Sequence, residues 1–281
     1  HSYCLSNEPW YQDARNDPEN RRAYSRWLEQ RHGSVAALSE AHGTHYDSYD
    51  DAPCFYGGPD EMTPQAAYDY AIFNQERLAQ WHEWMAGIVK ELDPTAKVHA
   101  KIMATAFSRT FLDGGVDPEL FCELSDIAGN DCWKYYQRQV ISYVSNWQTE
   151  NMYFDLLHSI AGQPIFNSEN HVIPDRDHEY VPPDHIRNIM WQAAVHGQGA
   201  STMWVWERTF DPQSDFAGSI MHRPGCAEAH GRTALDLMRL APEVQALQSN
   251  PARVAIVYSI ASLHYNPDYE RITNRVYEAL C

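Results

Sequence analysis

The stretch Tyr3–Tyr11, YCLSNEPWY, decides how the rest of the chain is read. A short apolar run halts at an Asn-Glu pair, and Pro9 and two aromatic residues follow. Proline cannot donate to a strand ladder, so the strand stops before it and Glu8 stands at the strand's carboxyl end. A second stretch repeats the device: Pro164–Asn167 (PIFN) reads as a strand running through Ser168 into Glu169.

Between and beyond these two strands, β-rich runs alternate with amphipathic helices. Asp17-Pro18-Glu19 supplies an N-cap, a first-turn proline and a first-turn acid for a helix through Tyr24, Trp27 and Leu28 that Gly33 ends. Ser34 caps a second short helix before Gly43. Thr63-Pro64 opens a long helix whose Ala67, Ala71, Asn74, Leu78, Trp81, Met85, Ile88 and Leu92 recur at spacings of three and four, a single apolar stripe. Lys97–Met103 and Ile127–Asn130 read as strands, with a short helix capped by Asp117-Pro118 between them. A long helix is expected over Gln137–Ile160 and another over Pro183–His196. Thr202–Trp206 (TMWVW) reads as a strand. A helix divided near Pro242 spans about Ala227–Leu247, and Arg253–Ser259 reads as a buried strand. Strands alternating with helices imply a parallel sheet with right-handed crossovers, doubly wound or closed into a (β/α)8 barrel.

The composition narrows the partners. With 38 acidic against 21 basic residues the net charge is −17, and no basic stripe interleaved with aromatics appears, so nucleic acid and anionic membrane surfaces are excluded as expected partners. No apolar run approaches the roughly 18 residues of a spanning helix. Neither G-x-G-x-x-G nor G-x-x-x-x-G-K-[ST] occurs, and His82-Glu83 lacks the second histidine of H-E-x-x-H, so neither a nucleotide cofactor nor a catalytic metal is expected. The six cysteines show no C-x-x-C spacing and read as free thiols of a reducing compartment, which gives a cytoplasmic expectation and leaves secretion open.

In a barrel the carboxyl ends of the strands face one site, where Glu8 and Glu169 can converge. Two such carboxyls cleave glycosidic bonds, one protonating the leaving oxygen while the other attacks the anomeric carbon or activates water. Beside them Asn7 can bond a sugar hydroxyl and Trp10 can stack on a sugar face. Taken singly, either glutamate also fits a solvated loop. Lys101 either points into the barrel mouth or pairs with an acid, and His171 reads as a solvated loop residue. Arg208 reads as a brace for Glu169 or Glu207.

These residues carry a resemblance. Asn7-Glu8 after YCLS, Glu169 in PIFNSEN and the later AAVHGQGASTMWVWER resemble the clan of retaining (β/α)8 glycosidases, whose acid/base follows an Asn on the fourth strand and whose nucleophile ends the seventh. Within that clan, NEPW, RWLEQRHGSVAALSEAHGTHYDSYD and HGQGASTMWVWER resemble glycoside hydrolase family 42, the β-galactosidases. The likeness spans roughly residues 3 to 259. It implies that Glu8 is the acid/base and Glu169 the nucleophile, and that Asn7 holds the sugar 2-hydroxyl. Asp131 and Trp133 would line the pocket after the sixth strand, and Trp204, Trp206 and Glu207 at the eighth. One departure touches sugar specificity: Trp204-Val205-Trp206-Glu207-Arg208 stands where the family carries an aromatic-Arg-Trp-Arg run.

Numbered by that resemblance, Tyr3–Ser6 is the fourth barrel strand. The expected fold is therefore α/β: residues 1–248 form strands four to eight of a partial (β/α)8 TIM barrel, and 249–281 begin a second, flavodoxin-like α/β domain. The chain reads as a fragment, with exposed strand edges and apolar helix faces. The expected activity is retaining hydrolysis of terminal β-galactosides. The alternatives are another β-glycosidase or endo-β-glycanase of the clan, or a non-catalytic sugar-binding barrel. The expected partner is a β-linked oligosaccharide or galactoside, and the full-length protein is allowed to be a homo-oligomer.

Overall fold

The computed structural model describes residues 2–11, 14–58, 60–103, 108, 112, 114–132, 147–162, 164–173, 180–206 and 219–281. Five strands form one sheet in chain order: β1 (Ser2–Asn7), β2 (Lys97–Met103), β3 (Ala128–Asp131), β4 (Ile165–Asn170) and β5 (Gln198–Met203). Every neighbouring pair is parallel, so every crossover returns to the same end of the sheet and all five carboxyl ends lie together. This is the arc of a (β/α)8 barrel. Its register sets Asn7 opposite Lys101, Met103 opposite Asp131 and Asn130 opposite Asn167, which puts the strand-end polar residues on one rim.

The helices form where their caps direct. Asp17 accepts from the Glu19 amide at 3.0 Å to start α1 (Pro18–His32), and Ser34 accepts from the Ala37 amide at 3.2 Å to start α2 (Val35–His42). Each such cap contributes about 1 kcal/mol. Thr63 and Pro64 open α3 (Pro64–Leu92), and Asp117 opens α4 (Pro118–Glu123). The described part of the next helix is α5 (Trp147–Ala161), and α6 (Pro183–Val195) follows β4. Pro242 stands at the start of α8 (Ala241–Gln248), which separates it from α7 (Pro224–Arg239) as the sequence predicts.

Among the described residues, three larger apolar cores hold these layers. Ala100, Ile102, Ala128 and Ile165 of the sheet pack on Leu78 of α3, Phe121 of α4 and Tyr153, Phe154 and Leu157 of α5. A second core joins Ile186, Ile189 and Met190 of α6 to Ile220, Cys226 and Ala229. A third, built on Tyr24, Leu28, Leu38, Tyr70 and Phe73, ties α1 and α2 to α3. Leu28 and Leu38 are wholly buried, and each such side chain contributes about 1.5–3 kcal/mol by leaving water. The far half of α3 keeps an apolar face in the open, with Trp81, Trp84, Ile88 and Leu92 between 40% and 84% exposed.

Three expectations change. β5 is Gln198–Met203, four residues ahead of the expected Thr202–Trp206, because its pairing with β4 runs from Ile165 opposite Gln198 to Asn170 opposite Met203. The strand is made of small residues for a steric reason: a Cβ on Gly199 would come within 2.5 Å of Pro164. Arg253–Ser259 is no strand; no strand lies beside it among the described residues, and an apolar run without a partner has no ladder to join. Val254 and Val257 there are 59% and 78% exposed, contrary to the expected burial. Two helices follow, α9 (Ile260–Tyr265) and α10 (Tyr269–Leu280). Finally, Glu169 lies within β4 and not in the loop after it.

Candidate active site

Both carboxylate-bearing strands lose their regular pairing where the carboxylate sits. β1 shifts register between Cys4 and Asn7, and β4 between Asn167 and Asn170. Such irregularities re-aim side chains at barrel rims. Glu8 itself has φ 47, the one non-glycine residue with positive φ among those described, a conformation costing roughly 1–2 kcal/mol. Its amide is held by the Lys101 carbonyl at 3.0 Å. Backbone outliers of this kind persist where the surroundings over-determine them, commonly at functional sites.

Glu169 is enclosed, 9% exposed, and its two carboxyl oxygens have different partners. Lys101 Nζ donates to Oε2 in a buried ion pair, and His171 Nε2 lies 3.1 Å from Oε1. The Glu169 amide donates to Asn167 Oδ1 at 3.3 Å, while Asn167 Nδ2 donates to the Cys132 carbonyl at 2.9 Å, which pins the end of β4 to the end of β3. The Lys101 ammonium favours the ionised carboxylate.

Asp131 connects the two glutamates. Its Oδ1 stands 3.8 Å from His171 Nε2, and its carboxyl hydrogen-bonds Glu8. Burial, and then the hydrogen bond to Glu8, push the Asp131 carboxyl up to about 6, against the pull of His171 and Lys101. The rim thus sets Glu169 against an ammonium and an imidazole, and Glu8 against a carboxyl. Beside them Asn130 is fully buried at the end of β3, and neither polar atom of its side chain has a partner. Oxygens of Asp131 and Glu169 and the His171 ring nitrogen lie within 4.8 Å of one another, but with one imidazole, and an ammonium already on Glu169, the group is an ion-pair cluster in itself.

The other expected residues divide. Asn7 is exposed at the end of β1, opposite Lys101. Trp10 is 40% exposed and rests on the backbone at Gly114, where an added Cβ would meet its ring at 3.0 Å. Trp204 and Trp206 stand in the turn after β5 and face different neighbours, not one strand face. Trp204 lies beside His171, ring centroids 5.9 Å apart, and its amide donates to the Asn170 carbonyl at 3.0 Å; Trp206, 47% exposed, lies beside His230 of α7. Trp133, Glu207 and Arg208 fall outside the described residues. His171, expected as a solvated loop residue, is instead bonded to Glu169. Lys101 takes the second of its two expected states, paired with an acid. The signal for it in the sequence is a lysine set between Ala100 and Ile102 near the carboxyl end of the strand KVHAKIM.

A parallel β/α arc with acids and cations gathered where its strands end defines a (β/α)8-barrel protein of the glycosidase type. The family model described as β-galactosidase, glycoside hydrolase family 42, matches residues 2–247, and the chain belongs to that family. A β-galactosidase from an Arthrobacter species is 25% identical over 187 residues, which cover 57% of this chain and 26% of that protein. The apo exo-carrageenase of family 42 from Bacteroides ovatus superposes with a TM-score of 0.82 at 24% identity, over 98% of this chain and 40% of that one. The catalytic mutant of a family 42 β-galactosidase from G. stearothermophilus gives 0.71 at 17% identity, over 92% and 41%. The chain therefore spans well under half the length of these relatives. No helix among the described residues is long and apolar enough to cross a membrane.

Proposed function

We propose that this chain carries the catalytic pair of a retaining glycoside hydrolase acting on terminal β-galactosides, with Glu169 as nucleophile and Glu8 as acid/base. The observation that carries the reading is the unlike setting of the two carboxyls, Glu169 against Lys101 and His171, Glu8 against Asp131. A nucleophile has to be ionised, which the ammonium on Glu169 favours, and the other strand-end carboxyl, Glu8, is left for the acid/base. Glu169 Oε attacks the anomeric carbon while Glu8 gives its proton to the departing oxygen, forming a glycosyl ester on Glu169. Glu8 then takes a proton from water, which attacks the anomeric carbon and frees the sugar with its configuration retained. Asn7 holds the sugar 2-hydroxyl. We place Trp10, Asp131, Trp204 and Trp206 along the pocket, and the family resemblance assigns Trp133 and Glu207 the same role; neither metal nor cofactor enters any step.

The extent of the family match, to residue 247, supports a division into a barrel portion over 1–248 and the start of a second domain over 249–281. All six cysteines are free, four of them buried, which supports a reducing compartment. The test of the activity is turnover of an aryl β-galactoside. Glu169→Gly abolishes it, and azide restores it with an α-galactosyl azide as product; activity that survives the substitution ends the assignment. A second reading, action on carrageenan-type galactans, is favoured by the better superposition on the exo-carrageenase, 0.82 against 0.64 to 0.71 for six β-galactosidase structures. Rates on carrageenan oligosaccharides against aryl β-galactoside separate the two.

A further inference from the structure

Away from the strand ends, three helices turn polar side chains into the core they share. His32 closes α1, His42 closes α2 and Asp69 lies in the first turns of α3. Asp69 and His42 are wholly buried as side chains and His32 is 11% exposed. Both imidazoles present the same edge to the same atom: His32 Nε2 is 2.7 Å and His42 Nε2 3.0 Å from Asp69 Oδ2. The other oxygen is otherwise engaged, accepting from Gln65 Nε2 at 2.9 Å and Arg31 Nε at 3.2 Å. We propose that His32, His42 and Asp69 bind one divalent transition-metal ion of the zinc class.

Four features carry this. Two imidazole nitrogens and one carboxylate oxygen, all within 4.8 Å of one another, are the donor set and number of a three-ligand zinc site that keeps a fourth position for water. Bonds of about 2.0–2.2 Å need ligand atoms roughly 3.3–3.5 Å apart, so the two histidines have only to part from Oδ2 by a few tenths of an ångström. Gln65 and Arg31 hold Oδ1 and so orient the carboxylate for single-oxygen coordination. His42 Nδ1 lies 3.2 Å from the Tyr46 hydroxyl, the outer-shell contact that fixes a ligating histidine's tautomer and ring plane. Arg31 comes in from the solvent side, its side chain 37% exposed and stacked on Trp27, which keeps its charge hydrated. Each ligand comes from a different helix, so the ion would clasp α1 and α2 to α3, the segment inserted between the strand that bears Glu8 and the strand that bears Lys101.

The experiment is a calorimetric titration of the chelator-treated protein with zinc chloride, with cobalt(II) absorption as the spectroscopic readout of coordination. One zinc per chain is expected, with Kd at or below about 1 μM, and a rise in Tm that depends on zinc. His32→Gln, at a helix end, abolishes both. Tyr46→Phe weakens binding by roughly tenfold, and His171→Gln leaves it unchanged. Circular dichroism establishes that each variant is folded, and the wild-type titration decides the question if one is not. Absence of saturable zinc binding to the wild type overturns the site, as does binding that survives His32→Gln or vanishes with His171→Gln.

Discussion

Glu8 and Glu169 end parallel strands three apart on one rim, yet they live in opposite surroundings. Glu8 is exposed, on a left-handed backbone, with a carboxyl for its neighbour; Glu169 is buried, within its strand, with an ammonium and an imidazole for neighbours. The chemistry of a carboxyl is set by what it faces, so under the proposed mechanism one residue type would supply two functions at the same level of the sheet. The bridge between them is Asp131, which bonds Glu8 on one side and faces His171 on the other.

Removing either member breaks the comparison most severely. Glu169→Gln leaves no group to form the covalent ester, and kcat on aryl β-galactoside falls further than for any other substitution. For Glu8→Gln the loss is about 10²–10⁴-fold, the range a general acid contributes, and it is smaller on substrates with acidic leaving groups, because these depart without a proton. Equal losses on good and poor leaving groups would deny Glu8 the acid's role.

Sharper tests alter the surroundings and spare the carboxyls. Lys101→Met takes the cation from Glu169, which lowers kcat and moves the acidic limb of the pH–rate profile upward, since without the charge the carboxylate ionises at higher pH. An unmoved limb would mean that Lys101 is only a packing residue. Asp131→Asn gives the smallest effect, and it is read in stability. Asp131 titrates near 6 in the fold, above the ordinary carboxylate value, so the folded state keeps a proton that the unfolded state releases. Wild-type stability to urea therefore falls as pH rises from about 4 to about 6, and the substitution flattens that slope.

Much of this was legible in the chain itself, and the rest was not, for definite reasons. Caps and prolines announce α1, α3 and α4 because their signals are local, residue to residue. Apolar runs mark β1, β2 and β4 for the same reason. β5 lies ahead of the expected stretch because its position depends on pairing with β4 and on room beside Pro164, and neither is written in TMWVW, the more strand-like stretch next to it. Arg253–Ser259 has a strand's composition without a neighbour. At the rim, strand-end placement pointed to Glu8 and Glu169, whereas the pairing of Lys101 with Glu169 and of Asp131 with Glu8 joins residues from different strands. His32, His42 and Asp69 carry no spacing motif at all, since three helices bring them together.

The central claim is that Glu169 becomes covalently bonded to the sugar. Trapping with a 2-deoxy-2-fluoro-β-galactosyl fluoride, followed by proteolysis and mass spectrometry, tests it directly. The adduct is expected on the peptide spanning Ile165–Asn170, at Glu169. A glycosyl adduct on Glu8, or on any other carboxylate, would contradict it.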